Sequence, residues 1–234
     1  MTSPAARTTS TTEPSLAPVV RRWLAESADR IVAAAPELTE LDARIGDGDH
    51  GINLARGMTI IRAALADASD EEPAGQLLRR CGRLLVSSVG GASGPLYGTL
   101  LLDTGDSLGD AAGVECIGKA LRDGVAGVGR RGRSTVGQKT MLDTLVPAAA
   151  ALAAGLDAAE GMAVAVARAV DAARAGCEST RPMVAQRGRA SYLGERAVGH
   201  LDPGAVSSLL LVEALVPATA LGQPPASTPT DPSR

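Results

Sequence analysis

Apolar residues recur three and four positions apart along most of this chain, and no stretch of strand length alternates strictly between apolar and polar. Val20, Trp23, Leu24 and Ile31 predict a helix that starts at Val19 and ends near Pro36. A second helix is expected from Ile52 to about Ala68. A third, from Gln76 to Val89, has Leu77, Leu78, Cys81, Leu84, Leu85 and Val89 on one stripe and Arg79, Arg80 and Arg83 outward. Further helices are expected over Tyr97 to Leu108, Val114 to Val128 and Thr140 to Ala154. The Ala-rich run from Ala158 to about Ala185 continues the pattern, broken near Gly176 or Pro182, and a last helix opens at Pro203 and runs through Val206 to Val216. Short loops separate these runs, so the pattern predicts one all-α domain of about eight helices in an up-and-down arrangement.

The two ends differ from the middle. Residues 1–18 and 217–234 are rich in Pro, Ser and Thr and poor in large apolar side chains, which predicts disordered tails around a folded region of residues 19–216. With 234 residues the chain is long enough for one sizeable core. That core is aliphatic, because Phe is absent, Trp23 is the one Trp, and Tyr97 and Tyr192 are the two Tyr.

The formal charge of -3 is mild and no basic run or nucleic-acid motif stands out, so nucleic acid is not an expected partner. No apolar stretch reaches membrane-spanning length without a Gly or a charge, and the N-terminus lacks the apolar run of a signal peptide. Cys81, Cys116 and Cys177 are odd in number and far apart. Reduced thiols in a cytoplasmic protein are the simplest expectation.

The densest chemistry lies in LDARIGDGDHGINLAR, residues 41–56. Asp42, Asp47 and Asp49 are spaced by glycines and followed by His50 and Asn53. Carboxylates brought about 4 Å apart repel by roughly 4 kcal/mol per pair at an effective dielectric near 20, so their convergence calls for a cation. Oxygen donors without a thiolate suit Mg²⁺, which keeps positions for substrate phosphates. Asp and Gly are also the commonest turn residues, and a solvated turn is the other reading of the triplet. His50 and Asn53 fall at the start of the second helix, where free N–H groups attract phosphate.

Other loops leave two readings open. Gly90-Gly91-Ala92-Ser93-Gly94-Pro95 either cradles an anion or simply connects two helices. Gly129-Arg130-Arg131-Gly132-Arg133 reads as a basic loop, facing phosphate, a partner or solvent. Arg189, in a polar loop, has the planar fork of donors that suits phosphate oxygens. Asp202-Pro203-Gly204 reads as a helix N-cap followed by Pro at the first helical position.

Together the segments LDARIGDGDHG, SSVGGASGPLYGT, RDGVAGV, GQKTMLDTLVPA and GRASYLGERAVGHLDPGA resemble the family of dihydroxyacetone kinase subunit L, in the family's order and over most of the chain. The resemblance implies an eight-helix barrel that holds ADP or ATP through two Mg²⁺ ions at one end. Asp42, Asp47 and Asp49 fall on the family's metal ligands. Nucleotide contacts would come from His50, Gly51, Ile52, Asn53, Ala92, Ser93, Gly132, Met141 beside the base, Arg189, Asp202, Pro203 and Gly204, with Arg189 also catalytic. Tyr97 stands where relatives often have Phe, a change expected to be mild.

The implied activity is phosphoryl transfer to dihydroxyacetone held covalently by subunit K. The donor is either ADP recharged in place by a phosphohistidine on subunit M, or free ATP that exchanges, for dihydroxyacetone or another small ketose. Carrying subunit L alone favours the first. Some relatives instead partner a transcription regulator according to nucleotide state.

Overall fold

The computed structural model describes residues 16–109 and 115–220, and these are helical with no strand among them. In order come α1 (Ala17–Ile45), α2 (His50–Ala66), α3 (Ala74–Ser88), α4 (Ser93–Leu108), α5 (Glu115–Gly132), α6 (Met141–Asp157) and α7 (Met162–Ser179). A 3-10 segment (Arg189–Ala197), α8 (Pro203–Glu213) and the short α9 (Leu215–Thr219) complete the chain. Each helix from α1 to α8 packs on its successor, and α8 packs back on α1. The result is a closed ring of eight helices, the up-and-down order that the pattern predicted and the closure that the family resemblance implied. Their inward stripes form one core that includes Ile31, Leu54, Leu77, Leu85, Leu100, Leu145 and Val166. Of the expected tails, residues 17–18 are instead helical in α1 and residues 217–219 in α9, where Ala17 and Ala218 are buried, and residues 1–15 and 221–234 lie outside the described residues.

Three of the boundaries that differ from the expectation shape the site. The first helix does not stop at Pro36 but runs to Ile45 with Pro36 inside it. Pro in a helix interior costs about 3 kcal/mol, yet Leu38, Asp42 and Ile45 continue the buried stripe beyond it, and burying two such aliphatic side chains contributes a comparable amount. Asp42 therefore sits on a helix, not in a loop.

The fourth helix starts at Ser93, four residues earlier than the apolar period, so Ser93 lies in its first turn. The supposed loop at residues 129–133 is helical through Gly132. There the chain ends α5 with the Ser134 N–H donating to Gly129 O at 3.1 Å and Arg133 in the left-handed region at φ 48°, a Schellman-type stop. The loop proper is 133–140. The break expected near Gly176 or Pro182 falls between them, because α7 continues through Gly176 to Ser179.

Gly51 shows why a glycine follows His50. A Cβ there would lie 2.1 Å from Ala35 O and 2.5 Å from Thr39 Oγ1, so α1 and α2 approach closely only because none is present. Gly51→Ala is expected to force the two helices apart and lower stability by about 1–3 kcal/mol, read as a fall in denaturation midpoint. Met162 packs against an apolar cavity of about 90 Å³ inside the barrel, in keeping with a core role. No helix among the described residues is long and apolar enough to cross a membrane.

Candidate nucleotide and metal site

The ends of α1, α2, α4, α5, α6 and α8 open onto a cavity of about 480 Å³, within the range of small-molecule sites. Asp42, Asp47 and Asp49 stand at its edge, and each offers a carboxylate oxygen within 4.8 Å of the others. Asp42 is fixed on α1. Its Oδ2 accepts the backbone N–H of Asp49 at 2.9 Å and of His50 at 3.1 Å, so it caps α2 from outside. Asp49 occupies the N-cap position of α2 but its own side chain makes no capping bond. The capping duty falls to Asp42, and the Asp49 carboxylate is left for another partner. Gly48, at φ 73°, makes the turn between them possible without strain. Three converging oxygens with no sulfur or imidazole among them fit a hard cation such as Mg²⁺.

Arg189 reaches this cluster from the 3-10 segment, with a guanidinium nitrogen 2.9 Å from Asp47 Oδ2. The arginine side chain is 71% exposed, and such pairs are worth only about 0–1 kcal/mol. Its guanidinium is thus free to exchange Asp47 for a phosphate oxygen at little cost.

The opposite wall is built by α6 and α8. Thr140 caps α6, accepting from Leu142 N at 3.2 Å, while Asp143 reaches back to the Thr140 N–H at 2.7 Å. This capping box holds Met141, 5% exposed, as the first helical residue at the cavity wall. Asp202 caps α8 by accepting from Ala205 N at 2.7 Å, and Pro203 follows at the first helical position, as the sequence suggested.

Of the sequence-designated residues, Ala92, Ser93, Gly132, Pro203 and Gly204 also line the cavity. Gly51, Ile52 and Asn53 do not line it. Gly51 serves helix packing, Ile52 is 55% exposed, and Asn53 is buried beside Gly90.

Lys139 was missed by sequence reasoning. It lines the cavity yet is 1% exposed, and its ammonium donates to Thr180 O at 2.7 Å and to His200 O at 2.5 Å. Thr180 Oγ1 in turn accepts the Asp202 N–H at 3.1 Å. The turn before α8 is thereby bolted to the end of α7. A lone Lys beside a capping Thr carries no sequence signal of this role.

Burial pushes the Asp202 carboxyl up to about 7, opposed by its bond from Ala205 and by the Lys139 ammonium. A folded-state value above the unfolded one means the folded chain holds the proton more tightly. This group's contribution to stability is therefore fully present below about pH 4 and lost as pH rises toward 7. Asp202→Asn is expected to remove that fall, so the difference in melting temperature between wild type and variant should change sign or shrink from pH 7.5 to pH 5. Thermal unfolding at about those two pH values checks it.

His50 is held from both sides, its Nδ1 3.0 Å from Ser93 Oγ and its Nε2 2.8 Å from Ser207 Oγ. Burial holds its imidazole below the usual range, against the pull of Asp42 and Asp49. The Tyr97 hydroxyl, which a Phe would lack, contacts Ser207 Oγ at 2.6 Å and Ser208 Oγ at 3.0 Å. Burial pushes that phenol up to about 12, so it stays protonated.

A ring of helices that brings a carboxylate cluster, an exposed arginine and the uncapped N-terminus of α4 to one cavity defines a helical barrel with a candidate site for a cation and an anionic ligand. The DAK2 domain family matches residues 44–217, and the chain belongs to it. It is 40% identical over 198 residues to the ADP-binding subunit DhaL of PEP-dependent dihydroxyacetone kinase 1 of Listeria innocua, covering 83% of this chain and 93% of that protein. It is 38% identical over 195 residues to the corresponding Escherichia coli subunit, covering 82% and 92%. The crystal structure of the dihydroxyacetone kinase from C. freundii in complex with AMP-PNP and Mg²⁺ superposes with a TM-score of 0.67 at 26% identity. That match covers 93% of this chain and 37% of the longer kinase chain.

Proposed function

We propose that this chain is the ADP-binding, phosphoryl-transferring subunit of a phosphoenolpyruvate-dependent dihydroxyacetone kinase, acting in the cytoplasm. The observation that carries the reading is the convergence of Asp42, Asp47 and Asp49 oxygens within 4.8 Å at a cavity of nucleotide size. Its support is a match along nearly the whole length of subunits whose names state ADP binding. The three aspartates would hold Mg²⁺, as two ions, which when bound neutralises phosphate charge and aligns the phosphates. Met141 would flank the base. The N–H groups at the start of α4, which has no side-chain cap, would receive phosphate oxygens together with Ser93.

In the first transfer a phosphohistidine of subunit M gives up its P–N bond as a P–O bond forms to the terminal phosphate of ADP. In the second, the bond between the γ-phosphorus and its bridging oxygen breaks, leaving that electron pair on ADP, as a hydroxyl oxygen of dihydroxyacetone on subunit K bonds to phosphorus and its proton passes to solvent. Arg189 contributes donors to the oxygens of the moving group.

The cavity mouth suits protein partners. Residues 130–140 and 181–200 hold eight of the 23 Lys and Arg residues and one of the 26 acids, in a chain whose remainder is strongly acidic. Tyr192, 87% exposed, and Val136, 52% exposed, stand in the same two segments, and Tyr with Arg is the composition of interface anchors. An acidic or phosphorylated partner face fits this rim.

The experiment is to purify the full chain without added nucleotide, extract it with acid, and measure released ADP. Stoichiometric ADP, and transfer to dihydroxyacetone with subunits K and M and phosphoenolpyruvate, are expected. A second reading has its own support in the 37% identity over 182 residues to the L-erythrulose 1-kinase of Mycolicibacterium smegmatis, of which the chain covers 32%. An empty site that exchanges ATP freely and supports transfer without subunit M would establish that reading. Nucleotide-dependent binding to a transcription regulator with no transfer at all would overturn both.

A further inference from the structure

Three hydroxyls and one imidazole form a line from the barrel interior to the nucleotide cavity. Tyr97 of α4 meets Ser207 of α8 at 2.6 Å, Ser207 meets His50 Nε2 at 2.8 Å, and His50 Nδ1 meets Ser93 Oγ at 3.0 Å. Tyr97 is 2% exposed and Ser207 is fully buried, whereas Ser93 opens onto the cavity. Buried polar atoms must be hydrogen-bonded, so the protons along this line have to point one way or the other.

The direction decides what Ser93 can do. If Nε2 carries the proton and donates to Ser207, then Nδ1 is an acceptor and the Ser93 proton is used up on it. If Nδ1 carries the proton and donates to Ser93, then Ser207 donates to Nε2, and the Ser93 proton is free for the cavity. Phosphate oxygens accept and never donate, so only the second arrangement serves a phosphate.

Two features of α8 permit that arrangement. The Pro203 and Gly204 carbonyls also face Ser207 Oγ, at 3.0 and 3.2 Å, but both lie in the first turn of α8 and receive that helix's own N–H groups four residues on. They do not require the Ser207 proton. The Tyr97 hydroxyl also lies 3.0 Å from Ser208 Oγ and 3.2 Å from Gly204 O, but its contact with Ser207 Oγ at 2.6 Å is the shortest of the three; with the Tyr97 proton given to that oxygen, the Ser207 proton is freed for His50.

We propose that Ser207, oriented by Tyr97, is a positioning residue that sets His50 as its Nδ1–H tautomer and thereby turns the Ser93 hydroxyl into a donor to a nucleotide phosphate. The inference rests on the nucleotide reading of the site. His50 then acts through Ser93 and is not itself a phosphoryl carrier, since both ring nitrogens are engaged within the protein.

The test uses the full chain labelled with ¹⁵N-histidine and loaded with ADP and Mg²⁺, a His200→Gln variant assigning the other histidine. The imidazole ¹⁵N shifts of His50 should mark the Nδ1–H tautomer. Ser207→Ala and Ser93→Ala should each weaken ADP binding roughly tenfold, the loss of one hydrogen bond to a charged group, and leave adenosine binding unchanged. The double variant should lose no more than Ser93→Ala alone, because both act through one hydroxyl. An Nε2–H tautomer in the ADP complex, or additive losses, would overturn the relay while leaving ADP binding intact. The wild-type tautomer needs no variant and stands even where Ser207→Ala fails to fold. A wild type that binds no ADP would overturn the relay and the proposed function together.

Discussion

Asp47→Ala is expected to abolish the Mg²⁺-dependent part of ADP binding while leaving the fold intact. Asp47 lies in the turn between α1 and α2 and pairs with the exposed Arg189, a contact worth at most about 1 kcal/mol. Its carboxylate is one of three that converge within 4.8 Å. Each unit of cation charge about 4 Å from the lost carboxylate is worth roughly 4 kcal/mol at an effective dielectric near 20, so a divalent ion forfeits a thousandfold or more in affinity. In EDTA the sign reverses, since the variant has one fewer carboxylate to repel the phosphates and should bind ADP as well as the wild type or better. Calorimetric titration with and without Mg²⁺ separates the two conditions. Equal Mg²⁺-supported affinity in variant and wild type would remove the metal assignment. Asp42→Ala is the less informative variant, because Asp42 also receives two backbone N–H groups and its loss would loosen the start of α2.

Arg189→Ala should instead slow transfer far more than it weakens binding. The guanidinium is exposed, pairs with Asp47 at the cavity edge, and belongs to a short 3-10 segment and not to a main helix of the barrel. Such a group adds little to holding ADP, which the carboxylate cluster and helix N-termini would bind. It matters when charge spreads over the oxygens of the moving phosphoryl group, where an arginine contributes about a thousandfold or more in rate. Single-turnover transfer to dihydroxyacetone on subunit K should fall by about that factor, with ADP affinity changed only a few-fold. Lysine should rescue poorly, lacking the planar fork. Binding and rate lost in equal measure would show that Arg189 merely holds the loop.

Both predictions concern residues that stood out in the sequence, and the reason is local. Asp42, Asp47 and Asp49 lie within eight residues, so their chemistry can be read before any packing is known. The Asp202-Pro203 cap is equally local, since a capping bond spans three residues. The aliphatic period likewise determined the helices and the all-α class, because each helix shows its buried stripe in its own residues.

What tertiary structure decided lies between segments. Pro36 looked like a stop, and only the burial of Leu38 and Ile45 against the rest of the barrel carries α1 past it and puts Asp42 on a helix. Lys139 reads as one more surface lysine until Thr180 and His200 bring their carbonyls to it across 41 and 61 residues. Ser207 reads as a polar position on a late helix, yet it meets His50 across 157 residues. Periodicity and short motifs report what a residue does with its near neighbours. A hydrogen bond between distant helices depends on how the ring closes, and closure is a property of all eight helices at once.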